Sequence, residues 1–219
     1  MGNWERLVWN QRDALAQGLL VTLEVCAYAF AAAIVGGLVL CLVRLYVPLL
    51  RPVAVALIEF FRGTPIFVQL VWVNYVWPEV FGWPTSFFTA GWVALALQSS
   101  GYLAETFRSG IEAVPRGHWE AASSVGMSRL QTLTRIVLPQ TLLATVPALI
   151  NQMTVIVKSS TLVSVITVPD LMFQSQRIVN RYYEPLEVLT ATAAIYIVLI
   201  FALSQIANVA AGAVRQRLG

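Results

Sequence analysis

The chain reads as an all-α protein that crosses a membrane several times, and three features predict this. Hydrophobic residues make up 58% and charged residues 11% of its 219 positions, with a mean hydropathy of +0.72. Soluble domains average about 45–50% apolar and about 25% charged residues, so one compact core cannot bury this excess. Apolar residues also gather in five stretches, 17–43, 53–77, 87–107, 139–163 and 186–211, each near or above the roughly 20 residues a helix needs to span a bilayer. Between and after them lie segments too polar to span, above all 108–138 and 169–185, the latter with Asp170, Arg177, Arg181 and Glu184. A soluble enzyme and a disordered tail are both excluded.

Glu5, Arg6, Arg12 and Asp13 precede the first stretch, and no short apolar core with a cleavage-like site follows. The start therefore does not read as a secretory signal, and the first span is expected to stay in the mature protein. Cys26 and Cys41 both fall in that span. Fifteen residues of helix separate them by about 22 Å, whereas a disulfide needs Cα atoms within about 7 Å, so both read as small buried hydrophobes. Glu24, alone in the same span, is expected to make an interhelical hydrogen bond. In the second span Glu59 and Arg62 can pair along one helix face. The link from Trp77-Pro78 to Trp83-Pro84 suits the headgroup level, which tryptophans favour. Glu105, Arg108 and Glu112 form a similar ladder at the end of the third span, and both groups read as structural ties.

Five spans put the termini on opposite sides. With the N-terminus outside, Arg44, Arg51, Arg62, Arg108, Arg116, Arg129, Arg135, Arg215 and Arg217 are cytoplasmic, against Arg6, Arg12, Arg177 and Arg181 outside. This bias predicts N-terminus out and C-terminus in, with 108–138 cytoplasmic.

Within that loop, Pro115-Arg116-Gly117 breaks the preceding helix, and His118 to Val125 predicts a short helix with Glu120 in its first turn, where a negative charge suits the dipole. Gly126 is a natural stop because it tolerates left-handed backbone angles. Ser128 and Gln131 have capping-box spacing and predict a second start. Leu130, Leu133 and Ile136 recur at helical spacing before Leu138-Pro139. The result is a rigid peg roughly 12 Å long, either lying on its own bundle or offering the narrow surface of Ala121, Ala122, Ser123 and Ser124 to another protein.

In the fourth span Asn151, Thr154 and Lys158 share one helix face, with Gln152 and Ser159 on the adjacent strip. Such a stripe serves either as hydrogen-bonding glue between helices or as the wall of a translocation pathway. An ammonium at Lys158 would favour a carboxylate. The single histidine, His118, cannot build a typical zinc site, and no metal site is expected. Lys158-Ser159 lacks the glycines of a phosphate-binding loop, since Gln152 and Val157 stand in their places.

Glu120-Ala121-Ala122, three residues, Gly126, nine residues, Ile136, one residue and Leu138-Pro139 match the EAA motif of ABC-importer permeases at every fixed position. Arg62-Gly63-Thr64-Pro65 with Gln69 is similar to an element in the second span of polar-amino-acid permeases. Gln98, Ser99, Tyr102, Leu103, Ala104, Glu105 and Phe107-Arg108 resemble their third span, and Tyr183-Glu184-Pro185 with Glu187 the approach to their last. Over about residues 15–210 the chain thus resembles the transmembrane subunit of a bacterial polar-amino-acid ABC importer.

The resemblance implies a multi-pass permease in the bacterial inner membrane, embedded in lipid and performing no covalent chemistry. Arg116, His118, Glu120, Ala121, Ala122, Gly126 and Ser128 would dock an ABC ATPase subunit. That partner would hold ATP and magnesium, leaving no cofactor in this chain. The other implied partners are a second copy or related permease, a periplasmic or lipid-anchored substrate-binding protein and an amino-acid substrate, with no nucleic acid. Gln98, Asn151, Gln152, Thr154, Lys158 and Ser159 are the candidate substrate pathway. Permeases for basic amino acids carry acidic residues here, including an Asp after a Lys in a KDTSL-like element; this chain has Lys158-Ser159-Ser160-Thr161-Leu162 and a neutral Gln152. That departure points to an acidic or neutral substrate. The competing reading is an ion-coupled secondary transporter or channel without an ATPase, with Glu24 or Glu59 as the coupling carboxylate.

Overall fold

A computed structural model describes residues 9–218, with the side chains of 207, 208 and 210–218 outside the description. Arg6 and the side chains of Arg215 and Arg217, counted above for orientation, lie outside the described residues.

The described chain is helical throughout its regular elements. A first helix, α1, runs from Arg12 to Tyr46, about 52 Å at 1.5 Å per residue and longer than a bilayer core. Next come α2 (Arg51–Gly63), α3 (Ile66–Tyr75), a single turn α4 (Trp77–Phe81) and α5 (Phe87–Glu112). Short α6 (Arg116–Ser124) and α7 (Arg129–Thr132) lead through a π turn, Leu133–Val137, into α8 (Leu138–Ser160). A 3-10 turn (Thr161–Ile166), α9 (Leu171–Tyr182) and α10 (Pro185–Leu218) complete the chain.

At the centre stands α5, which packs against α1, α2, α3, α8 and the 3-10 turn. Its longest contact is with α1, where small residues let the backbones close up. A methyl group at Gly37 would lie 2.8 Å from Leu103 Cβ and 3.1 Å from the Ser100 carbonyl. The core has two parts. One, around Val25, Leu70, Leu95, Ile156 and Leu171, fills the α9 end. The other, around Cys41, Ile58, Phe107, Ile111 and Val137, fills the end that bears α6. Both cysteines are buried and unpaired in a disulfide, as their spacing requires.

The second stretch, 53–77, corrects the expectation of one continuous span. It is two helices, α2 and α3, bent by 108° at Thr64-Pro65. The cause is local: Pro65 has no N–H and clashes with a helical predecessor, and Thr64 is extended at ψ 129°. Among the described residues, α1, Arg129–Ile166 and Pro185–Ile206 are each long and apolar enough to cross a membrane, and the bent pair makes up to four. The third stretch forms α5, long enough but diluted by Gln98-Ser99-Ser100-Gly101, and it runs five residues beyond the expected limit, to Glu112. Glu24 is exposed on α1 and has no hydrogen-bond partner among the described residues, so the interhelical bond expected of it is not made within this subunit.

Candidate functional site

The α6–α7 region is built by local chemistry. Pro115 cannot continue α5 and stands at the N-cap of α6. At the far end Gly126 takes φ +77°; its N–H donates to the Ser123 carbonyl and the Met127 N–H to the Ala122 carbonyl, each at 3.0 Å. This pair of bonds closes the helix and reverses the chain. Two residues on, the Ser128 hydroxyl accepts from the Gln131 N–H while the Gln131 side chain accepts from the Ser128 N–H, a complete capping box.

One face of α6 holds it to the bundle. Ala122 is buried, and Trp119 packs against the Cys41–Phe107–Val137 cluster. His118 Nδ1 lies 3.0 Å from Gln140 Nε2 at the base of α8. The opposite face is free: Arg116, Gly117, Glu120, Ala121, Ser124 and Val125 are exposed, and Val125 and Leu130 retain 76% and 69% of their surface. Beside it lies a cavity of about 430 Å³ lined by Gly117, His118, Ala121, Ala122, Val125, Met127 and Ile136. The peg is thus both anchored and open.

At the same end, Glu105 accepts from Arg108 Nε at 2.9 Å, and Arg108 reaches Glu112 at 2.6 Å. A partner invisible to helical spacing joins this ladder: Arg44 of α1 pairs with the second oxygen of Glu105. The Glu59–Arg62 pair forms at 3.4 Å on an exposed face.

The fourth-span residues divide. Asn151 and Lys158 are exposed on α8, with Thr154 and Ser159 half-buried beside them. Lys158 has no salt bridge among the described residues. Gln152 instead turns inward and donates to Ser99 Oγ on α5 at 3.2 Å. Gln98 is also directed within the subunit, donating to the Thr64 carbonyl at 3.4 Å and so bracing the break between α2 and α3. Tyr102 supports the same corner through the Arg62 carbonyl at 3.5 Å.

Sequence reasoning missed a buried corner at the other end. Asp170 caps α9, its Oδ1 accepting from the Phe173 N–H at 2.9 Å. The Leu171 N–H donates to Thr22 Oγ1 at 3.1 Å, and Ser175 meets Thr192 of α10 at 2.6 Å. Asp170 is fully buried, and its second oxygen and the Tyr196 hydroxyl have no partner among the described residues. Burial pushes the Asp170 carboxyl up to about 7, against the backbone N–H groups that favour its charge. The signal was present only as a cap residue before an apolar-periodic run.

Residues 30–219 match the family described as binding-protein-dependent transport system inner membrane component. The chain belongs to that family. A probable amino-acid ABC transporter permease protein, YckA of Bacillus subtilis, is 37% identical over 181 residues, covering 82% of this chain and 80% of its own. The glutamine transport system permease protein GlnP of Escherichia coli K12 is 31% identical over 199 residues, 90% and 91% of the two chains. A crystal structure of an amino acid ABC transporter with histidines superposes at TM-score 0.86 with 33% identity, covering 96% and 98%. The inward-facing MetNI methionine ABC transporter, at TM-score 0.82 and 18% identity, shares the fold. This inner-membrane component is therefore an ABC transporter permease subunit, a transport component and not a catalyst.

Proposed function

We propose that this subunit carries a polar amino acid across the inner membrane at an interface with a second copy or a related permease, driven by an ATPase docked on α6. The observation that carries this is the geometry of α6: closed by Gly126, anchored through Ala122, Trp119 and His118, and open along Arg116, Glu120 and Ala121. A helix held on one face and free on the other moves as a rigid body with whatever grips it, which a coupling element requires. In this reading five crossings are made by α1, the α2–α3 pair, α5, α8 and α10, with the N-terminus outside and α6 in the cytoplasm. ATP and magnesium sit in the ATPase, and a periplasmic or lipid-anchored binding protein supplies substrate from outside.

Asn151, Thr154, Lys158 and Ser159 form the pathway face of α8, while Gln152 and Gln98 hold the wall behind it. An unpaired ammonium attracts the carboxylate that every amino acid carries, and the absence of acidic residues on this face disfavours a cationic side chain. The substrate is accordingly acidic or neutral; the glutamine named for the Escherichia coli relative is of that class. The ion-coupled alternative gains no support, because Glu24 and Glu59 are both exposed rather than set inside the bundle.

The test is purification in detergent with co-expressed neighbouring proteins, followed by uptake assays in proteoliposomes. A retained ATPase and ATP-dependent uptake of glutamine or glutamate, not of arginine, are expected. A permease that never retains an ATPase would overturn the reading. Lys158→Ala should alter substrate-stimulated ATPase activity; unchanged stimulation and preference would return Lys158 to a packing role.

A further inference from the structure

Force applied to α6 can leave it in two directions. Forwards, it passes through the Gly126 turn, α7 and the π turn into α8. Backwards, only Ala113, Val114 and Pro115 separate α6 from Glu112, the last residue of α5. Glu112 is also the end of the charge chain that runs through Arg108 and Glu105 to Arg44. The chain alternates in sign and begins on α1, two residues before its end.

Glu105 is the node. Its two oxygens serve different helices, one accepting from Arg44 of α1 and the other from Arg108 of its own helix. Arg108 keeps Glu112 if Glu105 is lost, whereas Arg44 has no second salt bridge among the described residues. Both Arg44 and Glu105 side chains are about four-fifths buried, at 21% exposure, so water screens the pair less than it would a surface pair. Holding α1 against α5 does not depend on this pair. The helices already close at Gly37 and share the Cys41, Leu103 and Phe107 core. What the pair adds is a directional tie within that contact, near the end where α6 is attached, and it opposes sliding of one helix along the other.

We infer that Arg44 and Glu105 are positioning residues for coupling, locking the loop end of the first span onto the third so that displacement of α6 is delivered to both as one body. This rests on the reading of α6 as the ATPase contact. The test uses the complete transporter, permease with ATPase and binding protein, in proteoliposomes. Uptake and ATP hydrolysis are measured together for Glu105→Gln, Arg44→Met and Arg44→Lys. The first two should keep the ATPase bound and hydrolysing while uptake per ATP falls about two- to thirty-fold, the range of measured coupling effects. Arg44→Lys, which keeps a cation, should recover most of the ratio. An unchanged ratio, even with a lowered unfolding temperature, would assign the pair to stability alone and overturn the inference. If Glu105→Gln fails to assemble, Arg44→Met against Arg44→Lys decides by the same ratio. Failure of the underlying reading looks different: the wild-type permease would retain no ATPase, and both ideas would fall.

Discussion

Ser128 and Asp170 do the same local work in opposite surroundings. Each starts a helix by accepting a backbone N–H three residues on, from Gln131 and Phe173 respectively. Ser128 is exposed and its box is complete; Asp170 is sealed between α1, α10 and the 3-10 turn, with one oxygen lacking a partner among the described residues. A neutral hydroxyl at the surface costs nothing to solvate. A carboxyl in the interior must either keep its proton or pay for its charge. The cap is thus a local decision, and its energetic consequence is a tertiary one.

The sharpest way to break the exposed region is at Gly126. Gly126→Pro forces φ to about −65° and removes an N–H, against the observed +77° and the bond to Ser123. Uptake in proteoliposomes should be abolished while the amount of inserted protein is unchanged; normal uptake would contradict a coupling role for α6.

For the buried region the lever is pH. An ordinary Asp loses its proton near 3.8, and Asp170 holds it to about 7. Between those values the native state binds more protons than the unfolded chain, so stability falls as pH rises from about 4 to about 7 and then levels off. No salt bridge among the described residues holds Asp170 in its charged form to offset this. Asp170→Asn keeps a capping oxygen and should remove the slope, gaining on the order of 4 kcal/mol above pH 7. Unfolding midpoints in detergent at pH 5 and pH 8 check this; equal slopes in both proteins would refute the buried, protonated carboxyl.

A smaller effect is expected at Gly18, where an added methyl would lie 2.8 Å from Leu171 Cα and 2.9 Å from the Asp170 carbonyl. Both neighbours are backbone and cannot swing away, so Gly18→Ala should cost about 1–3 kcal/mol and expose the Leu171 N–H to hydrogen exchange. Unchanged protection there would show that the corner yields. Ser128→Ala should do least, about 0.5–2 kcal/mol of local helix stability, read as faster exchange at Gln131 with the Asp170 corner unaffected.

How legible each part was follows the same division. Pro115, Gly126, Ser128 and Gln131 act on neighbours within four residues, so α6, its stop and the next start could be read directly, as could the ladder of Glu105, Arg108 and Glu112 along one helix. The fourth member, Arg44, lies 61 residues from Glu105, and no periodicity points to it. Gln152 and Lys158 sit on adjacent strips of one helix, yet one bonds Ser99 inside and the other is exposed; only the position of α5 separates them. The break at Thr64-Pro65 carried a local signal that the strong apolarity of the flanking residues masked. Glu24 looked like a bond waiting for a neighbour, and its helix faces that residue away from the rest of the subunit.

The elbow in the second apolar stretch also constrains how the molecule sits. Acyl chains offer no hydrogen bonds, so unwound main chain at membrane depth survives only against protein or water. Gln98 and Tyr102 satisfy the inner side of the elbow, and Gly63 and Pro65 stand bare on its outer side. In the proposed five-crossing arrangement, that exposed edge is expected to face a neighbouring subunit or a wet cleft rather than acyl chains.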